Sequence, residues 1–140
     1  NQSERIIAVG TTSLRTLESL YWMGVKSLAG TDPAILEQWF AYDYTDTLPK
    51  PVNALRAIWD FMDARNLTSF EGFTRLLISP GFRFQIADGL ITNFHQPGST
   101  LLLLVAAWAG DNWRTMYEFA LNNDFRFLSY GDSSLLFRSV

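Results

Sequence analysis

Polar side chains able to take part in chemistry concentrate in three short segments. Residues 10–15 read GTTSLR, residues 91–100 read ITNFHQPGST, and residues 125–134 read FRFLSYGDSS. The second segment contains the chain's single histidine, His95. An imidazole titrates near neutral pH, so His95 has the chemistry needed to exchange a proton with a substrate.

The first segment suits an anion. Its hydroxyl and guanidinium groups precede or open a helical pattern, and the N-terminus of a helix favours a carboxylate or a phosphate. The groups concerned are Thr11, Thr12, Ser13 and Arg15. Ser and Thr are also ordinary helix caps, so Thr12 or Ser13 acting only as an N-cap is an equal alternative.

The second segment surrounds His95 with amide and hydroxyl groups. These are Thr92, Asn93, Gln96, Ser99 and Thr100. A lone histidine in a loop is more often a structural or surface residue than a catalyst, and both interpretations stay open here. Pro97 and Gly98 predict a turn, after which Ser99 or Thr100 can cap a helix.

The third segment places Arg126, Tyr130 and Asp132 around a tight turn at Gly131. Turn formation alone is enough to explain the glycine and the aspartate, and it is the favoured explanation from the residues by themselves.

Two apolar runs must position these segments. IIAV and GLITNF are typical of strands buried on both faces of a parallel sheet, and each precedes a polar loop and a helical pattern. In open α/β sheets, ligands bind at the carboxyl ends of such strands. The pattern therefore predicts an α/β fold, with a mixed or largely parallel sheet and flanking helices, in which polar loops follow the strands.

The remaining elements are predicted from periodicity. A helix after Pro51 would bury Val52, Leu55, Ile58, Trp59 and Met62. STLLLLVAAWAG predicts a deeply buried helix. NWRTMYEFALNN predicts a helix with Asn112 as its N-cap and Asn122 or Asn123 at its left-handed end. TRLLI and FRFQIADG predict strands. TDPAILEQWF fits a helix with Asp32 as N-cap and Pro33 at its first position, but EQWFAYDY fits an exposed strand equally well. FRFLSY with LLF predicts a hairpin or a strand with a short return.

Composition limits the kinds of protein that this chain can be. The chain has 140 residues, of which 48% are hydrophobic, enough for one globular domain. Its longest apolar run, Leu101 to Ala109, is too short for a bilayer, and no secretory signal is visible, so we expect a cytoplasmic protein away from membranes. With no cysteine and one histidine, we expect no metal. Residues 32–71 hold seven acidic and three basic side chains.

Four blocks of sequence carry a family resemblance. VGTTSLRTLES, PGFRF, DGLITNFHQPGSTLLLLV and FRFLSYGDSSLLF resemble the C-terminal part of the S-adenosylmethionine:tRNA ribosyltransferase-isomerases of queuosine biosynthesis. The resemblance implies transfer of the ribosyl moiety of S-adenosylmethionine to 7-aminomethyl-7-deazaguanine at the wobble position of a tRNA anticodon. Epoxyqueuosine would form, and adenine and methionine would leave.

The same resemblance implies an organisation. Residues 1–140 would be a single α/β domain, the C-terminal fragment of a longer monomeric enzyme and inactive alone, with an acidic, family-variable helical insertion over residues 21–71. It also implies a basic residue where Gly98 stands and an acid where Arg75 stands, which are departures of this chain.

Site roles are also implied by the resemblance. His95 would carry a proton, with Asp132 and Tyr130 as the other acid–base pair, while the hydroxyl, amide and guanidinium groups named above would bind substrate. Two alternatives are a non-catalytic RNA-binding or scaffold module on the same core, and a small-molecule enzyme that uses S-adenosylmethionine without RNA.

Overall fold

A computed structural model describes residues 4–138. Their elements are β1 (Ile7–Val9), α1 (Thr11–Leu28), β2 (Ile35–Leu36), α2 (Phe40–Asp43), α3 (Pro51–Asp63), β3 (Phe73–Thr74), β4 (Gly89–Asn93), α4 (Thr100–Ala109), α5 (Asn112–Asn122) and β5 (Ser133–Phe137). The predicted α/β class is confirmed. Within residues 4–138, no helix is both long and apolar enough to cross a membrane.

The chain divides into two compact units. The first comprises Asn1–Leu14, Ile78–Phe82 and Ala87–Val140, and the second Arg15–Leu77 and Arg83–Ile86. Helix α1 begins in the first unit and continues in the second. The single domain with an insertion over residues 21–71 stays a prediction.

The first unit contains a mixed three-stranded sheet in the order β1-β4-β5. Strand β1 pairs in parallel with β4, with Ile7 opposite Gly89 and Val9 opposite Ile91. Strand β5 runs antiparallel to β4. The predicted mixed sheet is therefore confirmed. Within residues 125–137, only the second half forms a strand, because β5 pairs with β4 instead of forming a hairpin with FRFLSY.

One face of this sheet packs against α4 and α5. Phe94, Val105, Tyr117 and Ala120 form a buried cluster, and Leu136 of β5 packs on it. On β1 only Ala8 is buried, while Ile7 and Val9 are 40% and 66% exposed. The prediction that β1 is buried on both faces is therefore wrong. Successive side chains of a strand point to opposite faces, and only the face of Ala8 and Leu136 is covered.

Helix α4 is confirmed, and so is its Ser99 cap, whose side chain accepts a hydrogen bond of 3.2 Å from the Leu102 N–H. Its predicted deep burial is wrong, because Leu101 and Leu103 are exposed while Leu104 and Val105 are buried. Only one side of this helix faces the core.

Helix α5 begins at Asn112, so Asp111 occupies the N-cap position instead of Asn112. The predicted left-handed end at Asn122 or Asn123 is also wrong, since Asp124 has the positive φ of 56°. The Phe125 N–H donates to the Ala120 oxygen at 3.0 Å, which is the Schellman pattern, and that pattern places the left-handed residue at position 124.

In the second unit, α3 is confirmed as a helix and Ile58 is buried as predicted, but the predicted burial of Val52, Leu55 and Trp59 is wrong. Its buried residues are Ala54, Ala57 and Ile58, and the large side chains of Val52, Leu55 and Trp59 are exposed. The reason is the close approach of α1. A Cβ atom on Gly24 would overlap the backbone of Ala54, and only small residues fit at such a contact.

The other segments of the second unit also differ from expectation. Residues 32–44 form β2 and the short α2 instead of one longer element, and the predicted strand TRLLI reduces to β3, which pairs in parallel with β2. Residues 83–86 do not form the predicted strand. The buried carboxylate of Glu18 accepts the N–H groups of Gln85 and Ile86, at 2.8 and 3.0 Å, in place of a neighbouring strand.

Candidate functional site

The pairing of the first unit's strands brings the three polar segments to one end of its sheet. The Gly10 N–H, directly after β1, donates to the Ile91 oxygen of β4 at 2.8 Å. Asn93, the last residue of β4, lies opposite Ser133, the first residue of β5. The carboxyl ends of β1 and β4 therefore adjoin the turn before β5, at the edge where α/β sheets bind ligands.

The first segment turns directly from strand into helix. Gly10 has φ of 90°, and its oxygen accepts the Leu14 N–H at 3.2 Å, so Gly10 occupies the N-cap position of α1. The prediction of Thr12 or Ser13 as the cap is wrong, because α1 already begins at Thr11. Thr12 and Ser13 are exposed in the first helical turn, where the helix favours an anion.

Arg15, which the sequence grouped with these hydroxyls, belongs to the second unit. Its guanidinium donates to the Thr74 oxygen at 3.4 Å. Ser19 and Thr74 share a hydroxyl hydrogen bond of 2.8 Å in the same unit. The binding of an anion by Arg15 stays a prediction.

His95 is held by two hydrogen bonds. Its Nε2 lies 3.0 Å from the Thr92 Oγ1, and its backbone N–H donates to the Tyr117 hydroxyl at 2.9 Å. Burial lowers the pKa of His95 below its usual 6.5, so the imidazole is neutral at pH 7. A neutral imidazole can accept a proton.

Tyr117 was not singled out by the sequence. Its ring belongs to the buried cluster, and burial raises the pKa of its phenol, which remains protonated at neutral pH. The only signal was an aromatic residue at the helical spacing of α5. Nothing in the sequence connects it with position 95, which lies 22 residues away.

Asn93 ties the end of β4 to the third segment. Its Oδ1 accepts the Ser133 hydroxyl at 2.6 Å, and its Nδ2 donates to the Ser129 oxygen at 3.3 Å. The neighbouring Phe94 oxygen accepts the Leu128 N–H at 2.9 Å. Ser129 and Ser133 were missed by the sequence analysis, since their contact with Asn93 depends on the antiparallel register.

Asp132 closes the turn in which it lies. Its Oδ2 accepts the Arg126 backbone N–H at 2.7 Å, and its Oδ1 lies 3.6 Å from the Arg126 guanidinium. The backbone hydrogen bond, with the guanidinium as a lesser contribution, lowers the pKa of Asp132, so its carboxylate is ionised at neutral pH. Tyr130 at the tip of this turn is 97% exposed.

The loop after His95 explains one departure from the expected sequence. Gly98 has φ of 80°, a left-handed conformation that favours glycine and strains the basic residue that the resemblance implies. Ser99 caps α4, and Thr100 is its exposed first residue. Arg75, the other departure, is exposed in the second unit.

The His, Asp and Glu side chains of residues 4–138 include no group of three that could hold a metal ion.

The sequence has a clear match among protein families. The model of the queuosine biosynthesis protein family matches residues 1–136. The chain belongs to this family.

Individual members of the queuosine biosynthesis family agree. The S-adenosylmethionine:tRNA ribosyltransferase-isomerase of Phenylobacterium zucineum is 40% identical over 96% of this chain, and that of Deinococcus radiodurans is 40% identical over 98%. In both cases the match covers 27% of the relative's own length. The family expected from the four sequence blocks is therefore confirmed.

A solved structure shows the same fold. The crystal structure of S-adenosylmethionine tRNA ribosyltransferase from Thermotoga maritima matches 96% of this chain with a TM-score of 0.56 and 33% identity. The match covers 33% of that chain. This queuosine-family chain thus spans about a quarter to a third of the length of the proteins it resembles.

Proposed function

We propose that this chain forms part of the active site of a tRNA-modifying enzyme. The enzyme transfers the ribosyl moiety of S-adenosylmethionine to 7-aminomethyl-7-deazaguanine at the tRNA wobble position. It gives epoxyqueuosine in tRNA and releases adenine and methionine. S-adenosylmethionine is the ribosyl donor and therefore a substrate.

The observation that carries this proposal is the neutral His95 at the strand ends of a queuosine-family chain. The reaction requires removal of a proton from a carbon next to a sulfonium, and protonation of the departing adenine. His95 is neutral because burial lowers its pKa, and Thr92 holds its Nε2. It is therefore suited to accept the proton.

Asp132 serves as an ionised group in this proposal. Its lowered pKa keeps it ionised at neutral pH and makes it a poor proton donor, but its carboxylate can accept a hydrogen bond. Tyr130, exposed at the tip of the same turn, is the phenol available to a bound RNA or to the leaving base.

Substrate binding falls to the polar groups of the three segments. The hydroxyls at the start of α1 lie at the N-terminal end of this helix, where the helix dipole favours a negatively charged group such as a methionine carboxylate or an RNA phosphate. The proposed substrate-binding residues are Thr11, Thr12, Ser13, Arg15, Thr92, Asn93, Ser99, Thr100 and Arg126.

The test uses a full-length chimera in which this chain replaces the matching part of the Phenylobacterium zucineum relative. S-adenosylmethionine labelled in its ribose is supplied with an anticodon stem-loop that carries 7-aminomethyl-7-deazaguanine, and transfer of label to RNA is measured. We expect transfer by the parent chimera and a loss of at least about a hundredfold in His95→Ala.

The matched control is Glu118→Ala, at an exposed position of α5 in the same unit and outside the three polar segments. It should keep near-normal transfer. Near-normal transfer by His95→Ala would remove His95 from the chemistry. RNA binding without any transfer would instead favour a scaffold module, and release of adenine without RNA would favour a small-molecule enzyme.

The proposal extends to the setting of the enzyme. It acts in the cytoplasm as a monomer, and the 140 residues by themselves are inactive because they span only about 27% of the relatives' length.

A further inference from the structure

A cavity of about 210 Å³ in the second unit is lined by α1 and by residues 70–74. Its apolar wall is formed by Leu20, Met23 and Phe70, and its polar part includes the hydroxyls of Ser19 and Thr74. None of its described lining residues belongs to the three polar segments. The cavity is therefore separate from the residues assigned to the proposed function.

The two hydroxyls leave one hydrogen-bond donor unused. Ser19 Oγ and Thr74 Oγ1 lie 2.8 Å apart and share one hydrogen bond, and Thr74 Oγ1 also accepts the Leu76 N–H at 3.2 Å. Two hydroxyls carry two hydrogens, and the bond between them uses one. Among the described residues, neither hydroxyl has a further acceptor.

This unused donor belongs to a pair of which Ser19 is only 3% exposed. Buried hydroxyls are normally fully hydrogen-bonded, so an O–H without an acceptor at the wall of a cavity points to a ligand. Whichever hydroxyl donates to the other, Ser19 Oγ keeps at least one free lone pair. The pair therefore offers a donor and an acceptor side by side.

The apolar wall suits a flat ring. Phe70 is held edge-on by Phe61, with ring centroids 6.2 Å apart and planes at 83°. A Cβ atom on Gly72 would lie 3.1 Å from Met23 Cε and 3.2 Å from Phe70 Cε1, so both side chains approach this glycine closely. Thioether and aromatic groups both make favourable contacts with aromatic rings.

We propose that this cavity binds a nucleobase. A nucleobase is a flat ring whose edge carries a hydrogen-bond donor beside an acceptor, as in the amino group and ring nitrogen of adenine. The hydroxyl pair of Ser19 and Thr74 complements such an edge, while Met23 and Phe70 contact the ring. Apolar walls with a few placed polar groups are typical of small-molecule sites. The proposal goes beyond the proposed function, which assigns no residue to this cavity.

The first test is a titration of the isotope-labelled chain with adenine, followed through its backbone N–H resonances. We expect saturable shifts at Leu20, Gly72 and Leu76, which line or adjoin the cavity. Methionine, which is flexible and has no ring, should cause no such shifts. The absence of saturable shifts with adenine, or an equal response to methionine, would overturn the proposal.

A pair of double variants tests the unused donor. Ser19→Ala/Thr74→Val removes both hydroxyls and should weaken adenine binding at least about tenfold. Ser19→Ala/Thr74→Ser keeps one hydroxyl, whose hydrogen remains available to the ligand, and should bind adenine within about threefold of the parent. Thr47→Val, at an exposed position of the same unit, is the control for loss of a hydroxyl elsewhere.

Urea unfolding of each variant gives its folded fraction, and the affinities are compared for folded protein only. Because the two double variants differ by the Thr74 replacement alone, equal affinities would overturn the assignment of the hydroxyl pair.

Competition identifies where the base comes from. S-adenosylmethionine and an anticodon stem-loop are added separately to the chimera described above, after its cavity has been saturated with adenine. Displacement by S-adenosylmethionine supports a base of the donor, and displacement by the stem-loop alone supports a base of RNA. Displacement by neither would overturn the proposal. No measurement here follows ribosyl transfer, so a negative result leaves the proposed function untouched.

Discussion

The Oγ1 of Thr92, in the last part of β4, lies 3.0 Å from the Nε2 of His95, three residues later and beyond the end of the strand. Thr92 is buried and the ring of His95 is half-buried, so the strand fixes the position of the only imidazole in the chain. The Tyr117 hydroxyl fixes the backbone at the same residue.

The environment of His95 predicts a lowered pKa that can be measured directly. Because the chain has one histidine, its C2–H resonance is unambiguous in an NMR titration. We expect a midpoint below 6.5 in the folded chain and close to 6.5 in urea, since burial disfavours the charged imidazole. A folded-state midpoint at or above 6.5 would contradict the burial of this ring.

The same shift predicts a pH-dependent stability. Between the lowered pKa and 6.5, the unfolded chain binds a proton that the folded chain does not. The free energy of unfolding therefore falls as pH falls through this window and recovers as pH rises. Urea unfolding at several pH values measures it, and His95→Gln should abolish this part of the pH dependence. If His95→Gln leaves the pH dependence of the free energy of unfolding unchanged, that dependence comes from other titratable groups.

Asn93 is predicted to hold the loop over residues 126–132 against β4. Asn93→Ala removes the hydrogen bonds to Ser133 and Ser129, and should lower the free energy of unfolding by about 1–2 kcal/mol. Ser129→Ala keeps the carbonyl that Asn93 uses, so it serves as the control and should change stability little. If the two variants lower the free energy of unfolding equally, the side-chain hydrogen bonds of Asn93 do not hold this loop.

Glu18 is predicted to be a structural carboxylate. Glu18→Ala leaves the N–H groups of Gln85 and Ile86 without their acceptor and should cost about 2 kcal/mol or more. Glu118→Ala, at an exposed position of α5, should remain within about 0.5 kcal/mol of the parent. Chemical unfolding compares the two, and a neutral Glu18→Ala would show that residues 83–86 find another partner.

Two glycines should respond differently to alanine. Gly24→Ala places a Cβ against the backbone of Ala54 and should cost about 3 kcal/mol, because two helices must separate. A Cβ atom on Gly98 would have no other atom within 4 Å, so Gly98→Ala should lower the free energy of unfolding only through the strain of a φ of 80°, by about 1 kcal/mol. Thermal or urea unfolding measures both losses of stability. A larger loss in Gly98→Ala than in Gly24→Ala would contradict the close contact of α1 with α3 at Gly24.

Some secondary structure was predictable because its signal is local. The apolar runs that became β1 and β4, the Ser99 cap and the helix after Pro51 depend on neighbouring residues alone. The inward face of α3 was not predictable, because the contact that selects Ala54 involves Gly24, thirty residues earlier in the chain. The non-strand conformation of residues 83–86 likewise depends on distant Glu18.

The sequence by itself determined the family, the α/β class and the three polar segments, since these depend on residue types and short spacings. Only the tertiary structure decided which of those residues meet. The antiparallel register of β4 and β5 brings Asn93 to Ser133, and the packing of α5 brings Tyr117 to His95. The sheet also decided which apolar residues stay exposed, because a strand's alternation gives two faces and the first unit's described helices cover one.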